Sequence, residues 1–275
     1  MTDQTTADNQ AILYNQVEPL TPTLHGSLGL VRVETPLLFA RDAHAVPLNT
    51  IEFNFALKSY PIVFAGTDTP MPVAVLGMQE KENLFVDADG KWLEAAYVPA
   101  YIRRYPFIFG QNQEGSQLTL CIDRSSKLVG ENAEFPFFNG QDLTETSQKA
   151  MEFCKTFHQQ HIATQKFGVI VKEMDLFTSQ QVTMKSAEGK THVVGSYMAV
   201  DEKKFNDLKD EAFMILKKAG ALPFIYMHLS SLSNWQTLSF RRQQILGAPF
   251  PPNAPEVPAD QAAKAAPAPG TASVQ

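Results

Sequence analysis

Between Tyr60 and Asp123 short apolar runs alternate with turn-forming residues at such close spacing that the stretch has no room for a long helix. Tyr60 to Ala65 and Pro72 to Met78 flank a GTDTP segment, where Gly66, Asp68 and Pro70 favour a turn. Asn83 to Val86 is a third run, and Asp87-Ala88-Asp89-Gly90 reads as a hairpin turn before Lys91 and Trp92. Pro99 suits the first turn of a short helix through Arg104, where its missing N–H has no partner to lose. Pro106 ends that helix, and Phe107 to Phe109 follows as strand. After a turn at Asn112 to Gly115, Gln117 to Ile122 pairs back as another strand. The stretch therefore predicts an antiparallel sheet interrupted by a short aromatic and basic helix.

The flanks extend this pattern. Residues 1–12 read as a disordered N-terminus. Pro19 and Pro22 favour extended chain from Tyr14 to Leu24, and Leu28 to Val33 and Pro36 to Ala40 look like the first strands. Asn49 and Glu52 form a capping pair for a helix from Thr50 to about Lys58. Beyond Asp123, Phe135 to Phe138 reads as a loop. Asp142 and Glu145 form another capping pair, opening a helix to about Ala163 with Ala150, Phe153, Cys154 and Phe157 on one face. Lys166 to Leu176, Gln181 to Lys185 and Thr191 to Val200 read as strands, the last two joined at Glu188-Gly189. Asp201 caps a helix ending at Gly220, and Pro223 opens a last helix carrying Ile225, Leu229, Leu232 and Trp235. From Pro249 the composition turns to Pro and Ala, which predicts a disordered tail over 249–275. The fold class is α+β: an antiparallel sheet with a short inserted helix in the N-terminal half, helices plus a β-hairpin in the C-terminal half. One domain is expected over 13–248.

The strings PVAVLG (72–77), NLFVDADG followed by Trp92, YVPAYIRRYPF (97–107) and CID (121–123), in this order and spacing, closely resemble the bacterial SapC family. VDE (200–202), Gly220 with Leu222, and HLSSL (228–232) are similar to that family's second half, so the resemblance runs from about His25 to Arg242. The family takes its name from a surface-layer-associated protein, and members are sometimes labelled as peptide-transport components. The resemblance implies a protein partner, either a modifying enzyme such as a flavin-dependent halogenase or a TonB-dependent uptake system. It carries no catalytic motif. One departure is visible: the family's CID is usually followed by an acidic residue, and here Arg124 follows.

Bulk properties exclude several classes. A formal net charge of −6 leaves no basic footprint for nucleic acid. No apolar stretch is long enough to span a bilayer, which argues against a permease. The first residues, MTDQTTADNQ, lack the basic and apolar segments of a secretory signal. Cys121 and Cys154 sit among apolar neighbours and read as buried free thiols. A cytoplasmic location is expected, with non-classical export to the cell surface as the alternative.

Candidate chemistry is sparse. Cys154, His158 and His161 share a helical face at ligand spacing, but Cys154 belongs to the apolar stripe and the set needs help from elsewhere. No histidine is followed two places later by a carboxylate, as a facial iron triad needs. Asp87 and Asp89 fit a turn better than a calcium loop. There is no G-x-S-x-G elbow, no phosphate loop and no G-x-G-x-x-G, so no cofactor or metal is expected. Ser230, Ser231 and Ser233 beside His228 read as local hydrogen-bonding groups on a helix.

The strongest candidate for binding is Tyr97, Tyr101, Arg103, Arg104 and Tyr105, with Trp92 and Tyr60 nearby in sequence. Arginines beside aromatic rings can hold a carboxylate or phosphate bidentately while the rings stack on a ligand. The competing reading pairs the arginines with internal carboxylates such as Glu52 or Asp123. The leading function is a non-catalytic binding or accessory protein that recognises a peptide or a small acidic ligand. A surface-layer structural role and an enzyme of unknown reaction are the alternatives.

Overall fold

In a computed structural model describing residues 12–111, 118–186 and 190–257, most of the apolar runs become short strands separated at the turn residues. The strands of the first half are β1 (Val17–Pro19), β2 (Leu28–Leu30), β3 (Ala45–Pro47), β4 (Ile62–Ala65), β5 (Met71–Val75), β6 (Phe107–Gln111) and β7 (Leu118–Asp123). Those of the second half are β8 (Val129–Glu131), β9 (Phe135–Pro136), β10 (Phe138–Asn139), β11 (Asp142–Leu143), β12 (Phe177–Lys185) and β13 (Thr191–Val200). Helices are α1 (Pro22–His25), α2 (Phe53–Ala56), α3 (Ala100–Arg103), α4 (Glu145–Glu173), α5 (Glu202–Asn206), α6 (Asp210–Lys218), α7 (Leu222–Ser231) and α8 (Asn234–Leu246). The fold is α+β, with antiparallel sheets, as expected. The expected turns at Asn112 to Gly115 and Glu188-Gly189, nearly all of the N-terminal segment and the tail beyond Val257 lie outside the described residues.

The chain builds two compact units. The first comprises the residues up to Arg41, Val86–Trp92 and Ala100–His161. Its main sheet has β7 at the centre, with β1 on one edge and β6 on the other. A second sheet runs β8-β2-β9, and β10 pairs with β11. Phe107, Leu120, Ile122, Phe137 and Phe138 meet in its core together with Cys154.

The second unit comprises Asp42–Phe85, Leu93–Pro99 and the chain from Ile162 onward. Its sheet has the order β12-β13-β4-β5-β3. Ile62, Val63 and Phe64 of β4 are all buried, so this strand reads as a continuous apolar run rather than an alternating one. The β4–β5 turn crosses Gly66 at φ +83°, a conformation that favours glycine. The β13–β4 ladder pairs only Met198 with Phe64, and the same register carried on would set Val200 opposite Ile62. There the His228 ring stands between the strands: its Nε2 accepts from Val200 N–H at 3.0 Å and its Nδ1–H donates to Ile62 O at 2.7 Å. Ser231 Oγ takes the Ile62 N–H at 2.9 Å and donates to His228 O. Helix α7 is thereby bonded into the sheet through both backbone groups of one residue.

Several expected elements are corrected. Pro36 to Ala40 is not a strand; Leu38–Ala40 forms a 3-10 turn, closed by Arg41 N–H on Leu38 O. Asn83 to Val86 forms no strand beyond a single bridge from Val86 to Trp92. Phe135 to Phe138 is more regular than a loop, lying in β9 and β10 around a fully buried Phe137. The capping group of α4 is Thr144, whose hydroxyl faces Ser147 N–H at 3.5 Å, because Asp142 is held in β11.

Lys166 to Leu176 is chiefly helix, since α4 continues to Glu173. Phe167 and Val171 stand four residues apart and are both buried, and burying that stripe outweighs the weak strand preference of Val and Ile. The helix expected between Asp201 and Gly220 breaks at Asp207 to Lys209 into α5 and α6, and the last one breaks at Leu232-Ser233 into α7 and α8. Asp201 does cap α5, accepting from Lys204 N–H at 3.1 Å.

Candidate functional site

Helix α3 is one turn long because prolines bound it: Pro99 precedes it and Pro106 follows two residues after Arg104. Arg104 N–H still reaches Ala100 O at 3.0 Å, which sets Arg104 on the same face as Tyr101, three residues earlier. Its guanidinium carbon lies 4.3 Å from the Phe157 ring centre, 4.5 Å from Tyr101 and 5.6 Å from Tyr14. Such geometry is that of a cation held against ring faces. Among the described residues no carboxylate forms an ion pair with Arg104, and its Nε is buried without a hydrogen-bond partner.

The groups around this cation are neutral. Burial pushes the Tyr14 phenol well above its ordinary pKa, and the nearby Arg104 only partly offsets that. Burial likewise raises Tyr101, against the pull of Arg104. The Cys154 thiol is pushed up to about 11 by burial. At neutral pH neither phenol nor thiol supplies a negative charge. Tyr14 is fixed by donating its hydroxyl hydrogen to Phe107 O at 2.8 Å, which leaves the oxygen's lone pairs for Arg104. What this cluster offers to a planar anion is a positive fork set among three ring faces.

The other candidates fall elsewhere. Arg103 points to the exposed side of α3, with its guanidinium 5.3 Å from the Phe153 ring. Tyr105 is buried, stacked on Phe39 at 4.1 Å, with its hydroxyl donating to Asp123 at 3.2 Å. Trp92 is half-buried at the end of the Asp87–Lys91 turn. Those three lie in the first unit with Tyr101 and Arg104, whereas Tyr60 and Tyr97 lie in the second. Tyr60 is fully buried and bonds Tyr97 O, and Tyr97 donates to Glu52 at 3.0 Å and stacks on Phe55. Tyr14 and Phe157 were not singled out from sequence as partners of Arg104. They are 90 and 53 residues away from it, and no local spacing announces either.

The CID motif has a structural explanation. Asp123 accepts from Asn15 N–H, Gln16 N–H, Ser125 N–H and Oγ, and Tyr105 Oη, all within 3.2 Å. Burial opposes its ionisation, but the hydrogen bonds from Ser125, Asn15 and Gln16 outweigh that and hold it below the usual carboxylate pKa. Arg124 bonds Gln16 O through its backbone N–H. Asp87 closes its turn by accepting from Lys91 N–H at 2.8 Å. Gly77 of PVAVLG sits where a Cβ would lie 1.9 Å from Glu82 O, so only glycine lets that loop close. Cys154 is a core residue, with His158 and His161 half-buried on the same helix.

No curated protein and no solved structure matches the chain. The SapC family description matches residues 20–238. These span most of both units and include every string on which the resemblance rests. The chain belongs to the SapC family.

Proposed function

We propose that this SapC-family chain is a non-catalytic binding protein that takes a carboxylate-bearing ligand, a peptide or a small acid, at Arg104. One observation carries the reading: a half-buried arginine held against three aromatic rings has neutral neighbours and, among the described residues, no carboxylate in an ion pair with it. Buried arginines are ordinarily paired, because an uncompensated charge in a low-dielectric setting is costly. An anionic group arriving at this cluster relieves that cost and gains a charge-assisted fork, with Tyr14 and Tyr101 setting its plane. The family resemblance adds the setting, in which the ligand is presented to or received from a partner protein such as a modifying enzyme or an uptake receptor.

Calorimetric titration with short peptides ending in a free carboxylate, and with the same peptides as C-terminal amides, tests the reading. The acids bind and the amides do not. Arg104→Lys keeps the charge but loses the planar fork, and weakens binding about tenfold to a hundredfold. Changing the exposed Arg103 to Ala as well weakens it further. If a double variant with unaltered circular dichroism bound the acids as the native chain does, Arg104 would not be the site.

A further inference from the structure

Strand β13 has two edges that are treated differently. Strand β12 runs along one of them from Thr191 to Val200. On the other, β4 pairs at Met198 alone, so among the described residues its first half has no strand of the sheet beside it. That half is covered by the chain's own Pro-rich segment. Val193 N–H donates to Pro255 O at 2.9 Å, and Val257 N–H donates to Thr191 O at 2.7 Å. The two bonds bracket an antiparallel bridge between His192 and Glu256.

Side chains read the segment as well as its backbone. Lys190 Nζ pairs with Glu256 at 3.0 Å. The His192 ring stacks on Phe250 at 4.7 Å, and its Nδ1 lies 2.9 Å from Ala254 O. Further back, Arg242 donates to Ala248 O and Phe250 O, and Ser239 Oγ donates to Pro249 O. No residue from Pro249 to Val257 is fully buried, and Val257 supplies the one backbone N–H that the segment gives to β13. A strand held this way is an occupant that can be exchanged. Its prolines keep it extended beforehand and leave few donors for a further strand on its outer side.

We propose that the open edge of β13 is a strand-addition site for an extended peptide with the order proline, acidic residue, aliphatic residue, and that the chain's own Pro255-Glu256-Val257 fills it until such a peptide displaces it. Main-chain bonds to Thr191 and Val193 supply the docking, Lys190 selects the acidic side chain, and His192 selects a ring five residues before the proline. The site is independent of the Arg104 cluster and stands whether or not that cluster binds acids.

A fluorescent synthetic peptide with the sequence of residues 249–257 is the probe, and the full chain is the receptor. Val257→Pro in the chain removes the N–H that bonds Thr191 O without touching the acceptor edge. The variant binds the probe about tenfold more tightly or better than the native chain, because the competent fraction rises. In hydrogen exchange the Val193 amide is slow in the native chain, fast in the variant, and slow again once the peptide is added. Lys190→Glu in the same background weakens the probe, and a probe carrying Glu256→Lys regains affinity. The proposal is overturned if the folded Val257→Pro chain fails to bind the probe, or if the charge exchange makes no difference. It is equally overturned if the segment is found swapped between two copies in a concentration-dependent dimer, since the occupant would then be a second chain.

Discussion

Acid should act on this molecule through two residues at two different pH ranges. Burial lowers the His228 pKa from 6.5 to about 4, because a charged ring there has no water, and the Nδ1–H bond to Ile62 O only partly offsets this. A depressed histidine stabilises the fold fully above its unfolded pKa. Below pH 6.5 the unfolded chain takes up a proton that the folded chain refuses, so stability falls steadily until about pH 4. The total loss is about 3 kcal/mol. His228→Gln should cost about 2 kcal/mol at pH 7 and flatten this slope, read as the native-minus-variant difference in urea midpoint between pH 7 and 5. Asp123 works in the same direction at lower pH: its donors hold its pKa down, so its contribution is fully present above the ordinary carboxylate pKa and is lost as pH falls from there through the lowered value. Asp123→Asn turns one acceptor oxygen into a donor facing other donors, and should destabilise by about 2–4 kcal/mol at neutral pH.

At the scale of elements, α4 shows how close packing overrides local preference. Gly168 is a poor helix residue, yet a Cβ there would lie 2.0 Å from Pro70 O, in the turn that joins β4 to β5. Two turns of that helix are fixed against the same loop, for Lys172 Nζ also donates to Asp68 O at 2.9 Å. Alanine is favoured over glycine in an isolated helix by about 1 kcal/mol. Gly168→Ala should nonetheless lower stability by about 2–3 kcal/mol, since backbone must move to admit the methyl. Gly195→Ala in β13 meets no described residue within 4 Å and should change stability by no more than about 0.5 kcal/mol. Thermal denaturation of the two variants side by side checks both values.

For the whole molecule, the path of the chain matters more than any one contact. It passes between the two units at residues 41/42, 85/86, 92/93, 99/100 and 161/162, so neither unit is a contiguous segment. A fragment ending at His161 keeps all of the first unit but strands β3, β4 and β5 without β13. Such an apolar, unpaired edge invites self-association. The fragment should elute as aggregate and show no cooperative transition; a monomeric fragment with a sharp urea transition would show the first unit folding without the second.

The sequence by itself determined the features written in short-range chemistry. Turn residues and prolines placed β4, β5, β6, the short helix α3 and the hairpin strands β12 and β13, because steric limits on Gly and Pro act within a few residues. The ordered strings from PVAVLG to HLSSL were enough to place the chain in its family, and the match over residues 20–238 agrees. Tertiary structure decided the rest. Whether Lys166 to Leu176 is strand or helix depended on what Phe167 and Val171 are buried against, which no window of local sequence contains. That Arg104 faces Tyr14 and Phe157, and that His228 stands between two strands as a backbone clasp, follow from contacts 28 to 166 residues apart. Burial and pairing set the charge state of such groups, and both are properties of the folded surroundings rather than of the residue type.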